Sequence, residues 1–281
     1  MRLRRLCCLL LVLVGLSACQ SAGFQTLNAI SSDAGSEKIA SELYAPEQGL
    51  LLDVYRSTKA TSSARPVIVF FYGGSWAKGE REWYKFAGQA LAREGFIAVI
   101  PDYRKYPSVR FPAFVEDAAN AVAYVKKRAG QWGGDPARVY LMGHSAGAQI
   151  AMLLALEPTY LARVGITRGA PRGVIGVAGP YDFLPLKDPQ LVEIFGDSAS
   201  QQRSQPINFA RTDAPPLLLM HGLDDSIVEP RNSQRLADRQ IELGATVSLK
   251  LLPDVGHIGI LLDMRKEDSI VMRNVRDFVA Q

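Results

Sequence analysis

Cysteine is scarce in this 281-residue chain, and its three copies all lie near the amino terminus. Cys7, Cys8 and Cys19 leave everything that follows without a thiol. The main part of the chain therefore has no disulfide, no thiolate nucleophile and no cysteine ligand for a metal ion. Histidine, aspartate and glutamate also show no metal-ligand spacing, so the sequence predicts no metal site.

The chain also has few histidines and a small net charge. The three histidines limit the choice of a general base. Lysine and arginine number 32 and aspartate and glutamate 28, a formal net charge of +4, and Arg2, Arg4 and Arg5 carry three of the positive charges. The rest of the chain is nearly neutral, with its charges scattered, and gives no electrostatic footprint for nucleic acid.

Long apolar runs are absent except at residues 6–16, a segment too short to cross a bilayer as a helix. Its flanking residues predict a secretory signal. The end of this segment, "LSAC" at 16–19, resembles the lipobox of bacterial lipoproteins, in which cleavage before the cysteine leaves a lipid-modified terminus; a plain signal peptide is the alternative. Gln20 favours the outer membrane of the cell envelope. We therefore expect a lipoprotein signal peptide at residues 1–18 and a lipid anchor on Cys19.

Apolar runs and helical patterns alternate along most of the remaining chain. Residues 19–42, rich in Ser, Ala, Gly and Gln, have little to bury and are expected to form a lipidated tether. Over residues 43–281 the alternation predicts an α/β fold with a doubly wound, mostly parallel sheet. Strands are predicted at residues 50–56, 66–74, 96–104, 138–143, 173–179, 216–222 and 246–253. Helices are predicted at about residues 82–94, 113–129, 146–157, 230–243 and 267–280.

One interval interrupts this alternation. Residues 180–214 are too long for a simple connection and too polar for a core strand. Long excursions in compact domains are usually functional or mobile, and open α/β sheets bind ligands beyond the carboxyl ends of their strands. We expect a small cap insertion there, with a short helix near residues 188–195.

A serine lies where a strand passes into a helix in "VYLMGHSAGAQIAM", residues 139–152. Small residues on both sides of Ser145 allow the sharp turn that exposes a nucleophilic side chain. The same position is also that of an ordinary helix N-cap. This turn alone leaves both interpretations open, and a base, an acid and an oxyanion hole are needed to favour the first.

The three histidines differ in their suitability as a base for Ser145. His144 is the neighbour of the serine in the chain and is expected to point away from it, whereas His221 ends a core strand. His257 follows the last strand, on a predicted loop. In one known order of a catalytic triad, the serine comes first along the chain, the carboxylate second and the histidine last. His257 is the favoured base, because it lies on a loop after a strand and leaves room for a carboxylate between it and the serine.

A carboxylate partner for this base is available at the end of the preceding strand. Asp224 and Asp225 lie in "HGLDDSIVEP", residues 221–230. The intervals on either side leave room for the strands and helices expected between the members of a catalytic triad. The spacing does not choose between the two aspartates.

Several motifs occur together and in order, and they resemble those of the carboxylesterase and lipase superfamily of α/β-hydrolases. The similarity covers about residues 43–280 and is greatest to the branch with kynurenine formamidase-like and hormone-sensitive-lipase-like esterases. The matching segments are "YGGSW" (72–76), "DYRKYP" (102–107), "FPAFVEDAANAVAYV" (111–125), "GGDPARV" (133–139), "GHSAGA" (143–148) and "HGLDDSIVEP" (221–230). The resemblance implies the α/β-hydrolase fold and a nucleophile, Ser145, with His257 as base and Asp225 as acid.

The resemblance also implies where the oxyanion of the reaction would bind. The backbone N–H groups of Gly73 and Gly74 in "YGGSW" would join that of Ala146, the residue after the nucleophile. The chain departs from the motif at Tyr72, where the family has a histidine. The phenol of Tyr72 must therefore hold this loop in place of an imidazole. The resemblance does not predict the geometry of the loop around this residue.

Two aromatic residues, Trp76 and Tyr84, are candidates for an acyl or leaving-group pocket, although aromatic residues beside a core strand more often serve packing. The expected function is that of a serine carboxylesterase that hydrolyses small to medium esters and needs no cofactor. Its partners would be a small ester substrate and the membrane that holds its lipid. The alternatives are an amidase, arylformamidase-like, or a peptidase on the same triad, and a catalytically inactive lipoprotein that binds ligands in the envelope.

Overall fold

Continuous runs of branched and aromatic residues form the centre of the molecule. In the computed structural model, which describes residues 34–167 and 171–281, the side chains of residues 67–71 and 97–100 are completely buried. Strands without an exposed face belong to a parallel sheet that is covered on both sides. The expected signal peptide and Cys19 lie outside the described residues.

The described part of the chain forms one mostly parallel sheet. Its strands are β1 (Ser36–Ala45), β2 (Leu50–Ser57), β3 (Arg65–Phe71), β4 (Ile97–Pro101), β5 (Gly134–His144), β6 (Val174–Val177), β7 (Leu217–Gly222) and β8 (Val247–Leu252). Their order is β1-β2-β4-β3-β5-β6-β7-β8. β2 runs antiparallel to β1 and β4, and the other neighbouring pairs are parallel. The sheet predicted from the alternating pattern is therefore confirmed.

Helices connect the strands and pack on the sheet. They are α1 (Lys85–Arg93), α2 (Ala113–Arg128), α3 (Ala146–Leu156), α4 (Thr159–Arg163), α5 (Pro189–Phe195), α6 (Ser198–Arg203), α7 (Arg231–Glu242), α8 (His257–Asp263) and α9 (Ile270–Ala280). α3 packs on β5 and β6, and α7 on β7 and β8. No helix in the described part of the chain is both long enough and apolar enough to span a bilayer.

The domain begins earlier than expected, because residues 36–42 of the proposed tether belong to β1. β1 pairs antiparallel with β2 at the edge of the sheet. An edge strand leaves part of its surface in water, so its sequence is largely polar and lacks the apolar run that signals a core strand. Two charged pairs link it to β2: Glu37 with Arg56 at 2.9 Å, and Lys38 with Asp53 at 3.4 Å.

Residues 180–214 leave the sheet between β6 and β7 and contain α5 and α6. α5 is the short helix expected near residues 188–195, and Asp188 caps it by accepting hydrogen bonds from the N–H groups of its first turn. The excursion also supplies one wall of a cavity beside the turn between β5 and α3. It therefore lies where a substrate of an open α/β sheet would bind.

Candidate active site

Ser145 lies on a sharp turn between β5 and α3. Its φ is 55° and its ψ is −124°, a conformation that residues with a side chain rarely adopt. Two glycines make the turn possible: a Cβ on Gly143 would collide with the carbonyl of Gly147, and one on Gly147 would collide with the carbonyl of Phe71 in β3. The turn leaves Ser145 partly exposed although its neighbours on both sides are buried.

Ser145 occupies the N-cap position of α3 without acting as a cap. Its side chain accepts no hydrogen bond from the first turn of the helix, and its backbone carbonyl accepts from the N–H of Ala148 at 2.9 Å. Ser145 also lines two separate cavities, which meet at this residue. The N-cap interpretation therefore does not explain the serine.

Asp225 and His257 form a buried hydrogen-bonded pair beside Ser145. Nδ1 of His257 donates to Oδ2 of Asp225 at 2.7 Å, which leaves Nε2 as the nitrogen that can accept a proton. His257 and Ser145 line the same cavity. Asp224, the other candidate acid, is exposed. The structure thus brings Asp225, and not its neighbour, against the imidazole of the candidate base.

Three hydrogen bonds and a close contact with His221 hold the carboxylate of Asp225. Oδ1 accepts from the N–H groups of Ile227 at 2.9 Å and Val228 at 2.8 Å. Oδ2 lies 2.7 Å from Nδ1 of His257 and 3.2 Å from Nε2 of His221. Burial alone would raise the pKa of Asp225, but these hydrogen bonds outweigh burial and hold the pKa well below its ordinary value. The carboxylate therefore stays ionised and can orient the imidazole of His257.

His221 has a second set of contacts that fixes its own ring. Its Nε2 donates to the carbonyl of Val228 at 2.8 Å, and its Nδ1 accepts from the hydroxyl of Ser233 at 2.7 Å. The ring is assigned as the Nε2–H tautomer because both a carbonyl and the carboxylate of Asp225 face that nitrogen. The sequence showed His221 at the end of a strand, but nothing in the pattern signalled its contact with the acid.

His144 does not point away from the site, so that expectation was wrong. Its Nε2 donates to the backbone carbonyl of His257 at 3.0 Å, and the centroids of the two rings are 4.8 Å apart. The expectation rested on neighbours at such a turn facing different directions, whereas His144 and Ser145 line the same cavity. Burial, together with the adjacent His257, lowers the pKa of His144 to about 3, so its ring is neutral.

His257 also differs from expectation in its setting. It is the first residue of α8 rather than part of a loop, and Gly256 is the N-cap. The seven residues of α8 are too few to show a helical period in the sequence. All three histidines of the chain thus meet near Asp225. The described residues nevertheless hold no group of three or more His, Cys, Asp or Glu side chains arranged to bind a metal ion.

Three backbone N–H groups are available beside Ser145. Gly73 touches the turn, since a Cβ on it would lie 3.0 Å from Cβ of Ser145. Gly73 and Gly74 line the smaller of the two cavities, and Ala146 lines the larger. Within the part of the chain that the structure describes, no acceptor takes a hydrogen bond from these N–H groups. They are therefore free to bind an oxyanion.

Tyr72, which replaces the histidine of the matching motif, is held by its hydroxyl and by its ring. The hydroxyl donates to Oδ1 of Asp102 at 2.8 Å and accepts from Nζ of Lys105 at 3.1 Å. The ring stacks on Tyr103, with centroids 4.7 Å apart, and on Tyr84, with centroids 5.3 Å apart. Burial, reinforced by Asp102, raises the pKa of Tyr72 and keeps the phenol protonated. A phenol thus anchors the start of the loop that carries Gly73.

Two cavities of different size meet at Ser145. The larger has a volume of about 450 Å³, and the excursion at residues 180–214 forms much of its wall. The smaller has a volume of about 130 Å³ and includes His257. Trp76 lines the larger cavity and Tyr84 the smaller. Both rings are nearly buried, at 4% and 3% exposure, so each packs in the core and also forms part of a cavity wall.

Solved structures that share this fold include esterases. A truncated carbohydrate esterase from gut microbiota superposes with a TM-score of 0.70 at 21% identity, over 87% of this chain and 95% of the other. Esterase 2 of Thermogutta terrifontis, in its apo form, gives a TM-score of 0.70 at 22% identity, over 88% and 93%. These similarities confirm the α/β-hydrolase fold that the motifs imply.

Curated relatives have similar sequences at greater length. A probable isoprenylcysteine alpha-carbonyl methylesterase of Oryza sativa subsp. japonica is 28% identical over 81% of this chain and 58% of its own. Esterase LipC of Mycobacterium tuberculosis is 28% identical over 79% of this chain and 60% of its own. The chain thus spans less than two thirds of the length of these relatives.

A family model matches the part of the chain that carries most of the site. The BD-FAE model covers residues 52–239, more than half of the sequence. This stretch includes Gly73, Ser145 and Asp225, whereas His257 follows it. The chain therefore belongs to the BD-FAE family.

Proposed function

We propose that this chain is a serine carboxylesterase that hydrolyses small to medium esters through an acyl-enzyme. The position of Ser145 carries the proposal: the residue lies on a strained turn, does not cap its helix and shares a cavity with an imidazole held by Asp225. Two relatives, a probable methylesterase from rice and an esterase from Mycobacterium tuberculosis, support the same class of reaction.

In the proposed reaction, Oγ of Ser145 attacks the carbonyl carbon of the ester while Nε2 of His257 takes the hydroxyl proton. Asp225 holds the Nδ1–H tautomer and stabilises the imidazolium that forms. His257 then gives the proton to the leaving alkoxide as the bond between acyl carbon and alcohol oxygen breaks. A water molecule, deprotonated by the same imidazole, attacks the acyl-enzyme, and the collapse of that second intermediate frees the acid and restores Ser145.

The charge that develops on the carbonyl oxygen needs donors that are already in place. In the proposed role, the N–H groups of Gly73, Gly74 and Ala146 donate hydrogen bonds to this oxygen. Preorganised donors of this kind lower the barrier because they need no reorganisation when the charge appears, and losing one costs about 10²- to 10³-fold in turnover.

The two cavities support esters with one small side. A group of a few atoms fits the cavity of about 130 Å³, and a bulkier group fits the one of about 450 Å³. Each further CH₂ of the acyl chain adds about 0.8 kcal/mol to binding as long as the cavity removes it from water. A CH₂ that extends beyond the cavity adds nothing. We therefore expect kcat/KM to peak at acyl chains of a few carbons.

A matched substrate panel tests the proposal. The p-nitrophenyl esters of acetate, butyrate, octanoate and palmitate are compared with p-nitroacetanilide, which presents the same acetyl group as an amide. Wild type is expected to hydrolyse acetate and butyrate fastest, and Ser145→Ala is expected to lose at least 10³-fold in kcat. Faster cleavage of the anilide than of the acetate ester would make the protein an amidase. No cleavage of any substrate would favour an inactive binding protein.

We also propose that a lipid on Cys19 anchors the protein to the outer membrane of a bacterial envelope. The support is the sequence of residues 1–20, which lies outside the described residues. Wild type is expected to pellet with membranes and to carry acyl groups, palmitate among them, on Cys19. Cys19→Ser should block lipidation and change the processing of the signal peptide. A soluble wild type without acyl groups on Cys19 by mass spectrometry would contradict the anchor.

A further inference from the structure

Two carbonyl groups of the oxyanion loop, defined as residues 72–74, accept hydrogen bonds from buried tyrosines. The hydroxyl of Tyr103 donates to the carbonyl of Tyr72 at 2.8 Å, a short and favourable distance. The hydroxyl of Tyr84 donates to the carbonyl of Gly73 at 3.4 Å, a longer and weaker contact. Both phenols come from outside the loop.

The planarity of the peptide bond connects these carbonyls to the candidate oxyanion donors. In a trans peptide unit the C=O and the N–H lie in one plane and point in opposite directions. The unit between Tyr72 and Gly73 carries the carbonyl held by Tyr103 at one end and the Gly73 N–H at the other. The next unit carries the carbonyl held by Tyr84 and the Gly74 N–H. A phenol that fixes the carbonyl therefore also fixes the direction of the donor.

Tyr103 is built to hold its hydroxyl in one place. Its ring is completely buried and stacks on Tyr72 with centroids 4.7 Å apart. Burial also raises the pKa of Tyr103, so the hydroxyl remains a donor throughout the ordinary pH range. The donor at the other end of the unit, on Gly73, lies against Ser145. A rigid connection thus runs from the core to the side of the nucleophile.

We propose that Tyr103 is a positioning residue for the oxyanion hole: its hydroxyl holds the Tyr72 carbonyl and thereby aims the Gly73 N–H at the developing oxyanion. Tyr84 does the same for Gly74 through its longer bond, and so with a smaller effect. This inference rests on the proposed esterase function, because an oxyanion forms only if Ser145 attacks a carbonyl.

The variant Tyr103→Phe tests the proposal, since it keeps the ring and its stacking and removes only the hydroxyl. A misaligned donor costs less than a missing one, so kcat for p-nitrophenyl butyrate should fall about 10- to 100-fold while KM stays within about twofold. Tyr84→Phe should show a smaller fall in kcat. The matched control is Tyr140→Phe, which removes a phenol bond of 3.3 Å to the carbonyl of Val279 and should leave kcat unchanged.

A second readout does not depend on catalysis. The amide resonance of Gly73 in a ¹⁵N–¹H spectrum should move in Tyr103→Phe and remain in place in Tyr140→Phe, because only the first variant frees the peptide unit that carries this amide. If wild type cleaves no ester, the proposed function fails and the role at the oxyanion fails with it, whereas the Gly73 resonance still decides whether Tyr103 fixes this peptide unit.

A folded Tyr103→Phe whose kcat lies within twofold of wild type, or whose Gly73 resonance does not move, would overturn the proposal. If Tyr103→Phe does not fold, Tyr84→Phe takes its place, with the resonance of Gly74 as the readout and the same criteria.

Discussion

Nε2 of His144 donates a hydrogen bond of 3.0 Å to the backbone carbonyl of His257. The residue before the candidate nucleophile therefore holds the main chain of the candidate base. Because α8 begins at His257, this bond ties the start of that helix to the turn that carries Ser145. A direct hydrogen bond, in addition to the packing of the sheet, thus connects the turn of the candidate nucleophile with the main chain of the candidate base.

Removing this hydrogen bond should lower kcat and leave KM almost unchanged. His144→Phe keeps an aromatic ring in the buried site and loses the donor, and a net hydrogen bond of about 1 kcal/mol corresponds to roughly a fivefold to tenfold fall in kcat. His144→Gln, which keeps an N–H donor, should recover part of the loss. Steady-state kcat and KM of the two variants check this, and a His144→Phe enzyme with wild-type kcat would show that the bond does not position the base.

The buried His144 should also make stability depend on pH. Its pKa is about 3 in the folded protein and about 6.5 when unfolded, so below pH 6.5 the unfolded chain binds a proton that the folded chain does not. The contribution of the neutral His144 to the free energy of unfolding is therefore fully present above pH 6.5. It is lost as the pH falls towards 3, by roughly 1.4 kcal/mol per pH unit.

Urea unfolding at pH 7 and pH 5 measures this loss. From this residue alone, wild type should lose about 2 kcal/mol between the two values. His144→Phe removes the titrating group, so its free energy of unfolding should change less over the same interval. Equal changes in the two proteins would mean that His144 takes up a proton in the folded state.

The two adjacent aspartates should differ sharply in their effect on turnover. Asp225→Asn leaves His257 free to adopt the wrong tautomer, and the comparable change in a serine protease triad costs about 10⁴-fold in kcat. Asp224→Asn alters an exposed residue and should stay within about twofold of wild type. Kinetics on p-nitrophenyl butyrate separate the two, and a greater loss in Asp224→Asn would assign the acid to the other position.

Filling the larger cavity should change which esters are accepted. Leu186 lines this cavity on the excursion, and Leu186→Trp should lower kcat/KM for the octanoate ester several-fold more than for the acetate ester. Ile241→Trp is the matched control, because Ile241 is 61% exposed on α7. Equal effects of Leu186→Trp on both esters would mean that the long chain does not use this cavity.

The features that the sequence predicts well share one property, which is that they leave a local pattern. β3 and β4 are continuously apolar because both faces are buried, and the turn at Ser145 needs glycines at fixed positions. The α/β sheet and the position of Ser145 between a strand and a helix could therefore be predicted. The choice of Asp225 needed more than spacing: it came from the resemblance, and the structure brings this residue against His257.

The features that the sequence missed depend on tertiary contacts. β1 is polar because it lies at an edge of the sheet, so its sequence resembles that of a tether. Only its pairing with β2 in the structure identifies it as a strand. His144 contacts the main chain of His257, a residue 113 positions away along the chain, and the linear pattern carries no signal for this contact. His221 meets Asp225 because the turn after β7 brings the carboxylate back against the strand, a contact without a signal in the linear pattern.

Labelling with a fluorophosphonate decides whether Ser145 is a nucleophile activated by His257. Intact-mass and peptide mass spectrometry should find one phosphonyl group per molecule in wild type, on the peptide that contains Ser145. The labelling rate should fall by several orders of magnitude in a folded His257→Ala variant, and Ser145→Ala should not react. A wild type that stays unlabelled, or a label on another residue, would contradict the account.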